Sequence, residues 1–158
     1  MSDLYILDDV QLLAAVGRVA VRHGQLDRVL RLTIKSVTAQ GLRKALDSTK
    51  RTGSADLRKR VMAEARKKIR DADTKSRLER LLGQACELTE RRNRLVHDVW
   101  VRDGAGNHVI IDDEHKRKPV PTPMRLDDLA NAIHRVTVEL NDARLNGFLA
   151  EALTRRQP

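Results

Sequence analysis

Aromatic side chains are almost missing from this chain: Tyr5, Trp100 and Phe148 are the whole set in 158 residues. Base stacking on aromatic platforms, common in modules that bind single-stranded RNA, has little material here, so any RNA contact is expected to run mainly through phosphate. Cysteine is as scarce. Cys86 stands alone, which excludes an internal disulfide and fits a reducing cytoplasm. No stretch approaches the roughly eighteen apolar residues of a membrane span, and the N-terminus lacks the basic-then-apolar pattern of a signal peptide. The expectation is a soluble, cytoplasmic protein with no membrane partner. Glycine-rich phosphate loops and nucleophile elbows are absent. His108, His115 and His134 are scattered, with no ligand spacing among themselves or to Cys86, so neither a metal site nor a cofactor is expected.

What the chain has is positive charge and helical periodicity. Lys and Arg number 31 against 22 Asp and Glu, a net charge of +9, which points to an anionic partner and says nothing about fold. The length suits a single domain over residues 1–158, large enough for one core. Asp8 or Asp9 caps a long first helix whose apolar stripe runs through Val10, Leu13, Val16, Ala20, Leu30, Ile34 and Val37, ending near Gln40 and Gly41. On that count His23 and Asp27 fall in the stripe. A short segment from Leu42 to Leu46 precedes a polar loop, and Ser54 caps a basic helix reaching about Ile69. A break at Asp71 to Thr74 leads into a helix from about Lys75 to Asp98. Alternation over Val99 to Arg102 and His108 to Ile111 predicts a β-hairpin. Asp112 to Pro123 reads as an exposed loop, and Leu126, Leu129, Ile133, Val136, Leu140, Ala143 and Ala150 describe a closing helix. The fold class is all-α, a bundle of long antiparallel helices with a small hairpin.

The helix before the hairpin carries an anomaly. Leu78, Leu81, Ala85, Leu88, Leu95 and Val99 recur at steps of three and four, and Arg92 falls in the same stripe. An unpaired buried charge is costly, so a seam arginine either snorkels outward or is held for a purpose. His97 follows five residues later, a side chain that titrates near neutrality. The first helix carries polar residues in mid-stripe as well, and two helices with matching interruptions suggest a shared site.

The run Arg92-Asn93-x-x-x-His97 resembles the signature of the HEPN superfamily, in which an arginine, a polar residue, a few variable positions and a histidine stand late in a long helix. The similarity in helix order extends over about residues 8 to 155, while the sequence-level match covers roughly ten. Many active members are metal-independent endoribonucleases that work as homodimers with the motif residues of both chains grouped at the interface. The resemblance implies that role for Arg92, Asn93 and His97, with RNA as substrate and an antitoxin protein as a conceivable partner, in a toxin, stress or phage-defence setting. One position departs: in members silenced by a nucleotidyltransferase a tyrosine stands two residues after the histidine, and here that residue is Val99, followed by Trp100.

The chemistry fits these residue types. RNA cleavage without metal needs a base for the 2′-hydroxyl proton, an acid for the leaving 5′-oxygen and a cation against the phosphate. Asn93 shares a helical face with His97, four residues on. Five residues turn a helix through about 500°, so Arg92 and His97 of one chain diverge by roughly 140° and joint action calls for arginine's reach or a symmetry-related helix.

Plainer readings stand beside these. His97 can be a helix-terminal histidine bonded to Asp98 or a loop carbonyl, and Arg92 can pair with Asp27. His23 and Asp27 can hydrogen-bond each other as a core pair, or Asp27 can orient Arg92. Arg91 and Arg94 are expected to pair with Glu87 and Glu90. Arg58, Lys59, Arg66 and Lys67 on the basic helix are the candidates for tracking a phosphate backbone, or simply a solvated face. The rival function is a non-catalytic helical dimer module that binds a protein or nucleic acid through that face.

Overall fold

The computed structural model describes residues 9–155, so Tyr5 and the alternative cap Asp8 lie outside the described residues. The chain runs α1 (Val10–Thr38), α2 (Leu42–Asp47), α3 (Ser54–Lys68), α4 (Ala72–His97), β1 (Val99–Arg102), β2 (His108–Ile111), β3 (Arg117–Pro119), α5 (Pro123–Leu145) and α6 (Phe148–Thr154). It is mostly helical, with one small antiparallel sheet. Among the described residues no helix is long and apolar enough to cross a membrane.

Helix α1 starts where Asp9 accepts a hydrogen bond from the Leu12 backbone N–H at 3.0 Å. Its buried stripe is not the one expected over the first three turns. Leu12, Ala15 and Val19 face the core, whereas Val10 is 78% and Leu13 46% exposed. Both series have helical spacing and converge on His23 and Leu30. The observed one wins because it continues through Leu26, which is completely buried. Gly53, rather than Ser54, occupies the cap of α3, and the Ser54 hydroxyl is used elsewhere. Asp71 caps α4 by accepting from the Thr74 N–H at 2.7 Å, which starts that helix three residues earlier than its apolar pattern.

Two further corrections concern the C-terminal third. The loop expected over Asp112 to Pro123 contains β3, which extends the hairpin into a three-stranded meander with Val109 opposite Pro119 and Ile111 opposite Arg117. The Asp112 carboxylate accepts from the Glu114 and Lys116 N–H groups and turns the chain back. All three β3 residues are exposed, so no alternating apolar pattern marks the strand, and Pro119 is tolerated because the strand is an edge. The closing helix is two helices, with Ala150 in α6. The chain breaks at Asn146-Gly147, where a Cβ on Gly147 would come within 3.1 Å of the Ala143 Cα. Val99, expected on the α4 stripe, has left the helix for β1 and is half exposed.

Helix α1 lies chiefly against α5 and α3, and α4 packs on α5, α3 and α1. Leu26, Leu30 and Ile34 from α1, Leu57 from α3, Leu78 from α4 and Ile133 and Leu140 from α5 form a sealed core. Helices α3 and α4 run antiparallel, since Arg58 early in α3 meets Cys86 and Thr89 late in α4, while Arg66 late in α3 meets Glu79 early in α4.

Candidate functional site

The stripes of α1 and α4 bring polar groups together where they cross the start of α3. His23 is buried, and its Nε2 lies 3.2 Å from the Thr89 hydroxyl oxygen. That hydroxyl donates its single proton to the Ala85 carbonyl at 2.7 Å, so toward His23 it accepts, and the imidazole carries its proton on Nε2. Arg58 Nη1 also donates to the Thr89 oxygen, at 3.2 Å, which fills its second lone pair. One buried threonine thus ties α1, α3 and α4 together. Burial lowers the His23 pKa; Asp27 opposes that shift, and the nearby Arg92 and Arg58 guanidiniums reinforce it.

Asp27 is not His23's hydrogen-bond partner. Its Oδ2 stands 3.9 Å from Nδ1, beyond hydrogen-bond range, while its Oδ1 accepts the Ser54 hydroxyl at 2.5 Å. Nor does Asp27 bond to Arg92. That guanidinium donates from Nη1 to the Asn93 side-chain oxygen at 3.1 Å, and its Nε is buried without a partner. An unpaired buried N–H is an unfavourable arrangement.

These groups line one open cavity of about 690 Å³, which collects His23, Asp27, Arg58, Lys59, Arg92 and Asn93 of the residues singled out from sequence. Ser54, Cys86 and Thr89 line it too; the sequence reading makes Ser54 a helix cap and Cys86 a lone thiol, gives Thr89 no role, and places none of the three in the site. Cys86, Thr89 and Asn93 share one face of α4 at steps of three and four, a signal that was there to be used. The cavity walls present cations from two helices, Arg58 and Lys59 from α3 and Arg92 from α4, in a size range suited to small ligands.

His97 is elsewhere. It is the last residue of α4, exposed, with no side-chain hydrogen bond among the described residues, and it does not line the cavity. Arg66 and Lys67 also lie apart. Arg66 approaches Glu79 at 3.4 Å and Lys67 approaches Glu64 at 2.8 Å, toward the far end of α3. The pairs expected between Arg91 and Glu87 and between Arg94 and Glu90 are not formed; Glu90 instead accepts from the Cys86 thiol at 3.6 Å. Among the described residues, no group of three or more His, Cys, Asp or Glu side chains is placed to hold a metal ion. Compared with protein-family models, curated proteins and solved structures, the chain matches none.

Proposed function

We propose that this chain is a HEPN-like, metal-independent endoribonuclease that acts as a cytoplasmic homodimer, of toxin, stress or phage-defence type. The observation that carries the reading is the cavity holding Arg92 and Asn93 with Arg58 and Lys59, where the Arg92 Nε has no acceptor of its own. A phosphate oxygen is a suitable acceptor, because guanidinium and phosphate form short charge-assisted bonds. In this reading Arg92 clamps the scissile phosphate and Asn93 holds the guanidinium. His97 removes the 2′-hydroxyl proton or supplies one to the departing 5′-oxygen, leaving a 2′,3′-cyclic phosphate. The exposure of His97 outside its own chain's cavity is compatible with a histidine that serves a symmetry-related cavity. An antitoxin would act by covering the cationic mouth.

The same separation of His97 from the cavity favours the rival, a non-catalytic helical dimer module that binds a protein or nucleic acid through its basic face. Incubation of the purified protein with labelled single-stranded RNA and transfer RNA in EDTA decides between them. The nuclease reading expects cyclic-phosphate ends from wild type and none from Arg92→Ala or His97→Ala. Equal cutting by all three proteins, or no cutting of any RNA, removes the catalytic assignment.

A further inference from the structure

The far end of α3 opens onto a second cavity of about 730 Å³, formed with the start of α4 and with α6. Its walls carry Lys68 from the last turn of α3, Arg70 from the α3–α4 connection, and Arg77 from the second turn of α4. The Arg77 guanidinium carbon sits 4.2 Å from the centroid of the Phe148 ring. Phe148 is partly buried against the core, whereas Arg77 is exposed, so the ring supports the guanidinium from the core side and leaves it open to solvent. An exposed guanidinium resting against an aromatic ring is a planar cation on which a nucleobase can stack. The acids of the cavity are partly committed: Asp71 caps α4 and Glu151 pairs with Arg155 at 3.6 Å. Lys68 and Arg70 form no ion pair among the described residues.

We infer that this cavity is a nucleotide subsite, in which a base stacks on the Arg77–Phe148 pair and its phosphate lies against Lys68 and Arg70. It lies apart from the Arg92 cavity. Ten residues of α3 separate Arg58 from Lys68, about 15 Å along the helix, and an RNA strand running along that helix meets both cavities. The assignment of RNA as the source of the nucleotide rests on the nuclease reading; the stacking surface does not. It also revises the inference from composition, since one phenylalanine that fixes an arginine provides the platform that scarce aromatics denied.

The test measures binding of 5′-AMP and of a fluorescent 2′-O-methyl oligoribonucleotide, which cannot be cleaved through its 2′-position, to wild type, Arg77→Lys, Phe148→Leu and a Lys68→Ala/Arg70→Ala variant. Arg77→Lys keeps the charge and removes the plane. Loss of a stacked base corresponds to a weakening of about 5- to 150-fold, expected for both probes with Arg77→Lys. The double alanine variant is expected to flatten the salt dependence by roughly two counterions. Phe148→Leu keeps apolar bulk in the core, and a loss there with an unchanged melting curve isolates the ring. Oligonucleotide binding that is insensitive to all three changes but lost in Arg58→Ala or Arg92→Ala overturns the subsite and leaves the nuclease reading intact. Saturable 5′-AMP binding that depends on Arg77, with no oligonucleotide binding, upholds the subsite and sinks RNA as its source. Failure of both probes to bind refutes the subsite.

Discussion

Replacing Thr89 by valine keeps the shape of the side chain and removes the one oxygen on which α1, α3 and α4 converge. The hydroxyl donates to the Ala85 carbonyl and accepts from His23 Nε2 and Arg58 Nη1. The first bond matters little, because that carbonyl keeps its helical partner. Arg58 is half-buried and turns to water. His23 has no such escape, being 5% exposed, and its Nε2–H is left without an acceptor. A buried donor so stranded costs about 1–3 kcal/mol. For a chain of this size each kcal/mol moves the melting temperature by about 2–4 °C, so a drop of roughly 2–12 °C is expected. Thr137→Val is the internal control: Thr137 is equally buried, but its hydroxyl only donates to the Ile133 carbonyl within its own helix, so a change within about 0.5 kcal/mol is expected. Urea unfolding of the two variants and wild type reads the difference. Equal destabilisation by Thr89→Val and Thr137→Val would refute the claim that Thr89 anchors a network.

Because His23 has a lowered pKa in the folded state, the unfolded chain takes up protons first, so this group's contribution is complete above about pH 6.5 and declines as the pH falls below it. In melting curves collected from pH 8 to pH 5, the loss is expected to be smaller in His23→Gln; identical profiles would contradict it. If Arg92 of one chain works with His97 of the other, mixing Arg92→Ala and His97→Ala dimers restores about a quarter of wild-type cleavage, since half the dimers are mixed and one of their two sites is whole. No recovery after subunit exchange would place both residues in one chain's site. Gly106, at φ 84° in the β1–β2 turn with open space around it, is expected to lose about 1–2 kcal/mol on replacement by alanine through backbone strain alone. A Gly106→Ala protein as stable as wild type in urea would show that the turn adopts another conformation.

The long helices were legible because α4 and α5 each bury a stripe spaced by three and four, unbroken in α5 and interrupted in α4 only at Arg92. Arg92 stood out for the same reason, and it does line a cavity. The first turns of α1 were misread because two apolar stripes of equal spacing exist there, and only tertiary packing, with α5 beside this part of α1 at Arg18 and Asp127, chooses between them. β3 was invisible since an exposed edge strand buries nothing and so leaves no pattern. The partners of Asp27 and His23 were out of reach for a different cause. Ser54 and Thr89 belong to other helices, and helix spacing reports neighbours along one helix, not across three.

Cys86 holds the chain's single thiol in the wall of the Arg92 cavity, within 3.4 Å of Arg58. The cavity therefore comes with its own chemical reporter. A thiol-selective alkylating reagent has one thiol to find, and a molecule occupying the cavity stands in its path, so the rate of labelling gives a dye-free occupancy assay for candidate ligands. Iodoacetamide labelling followed by mass spectrometry can then screen RNA fragments or inhibitors without an activity readout.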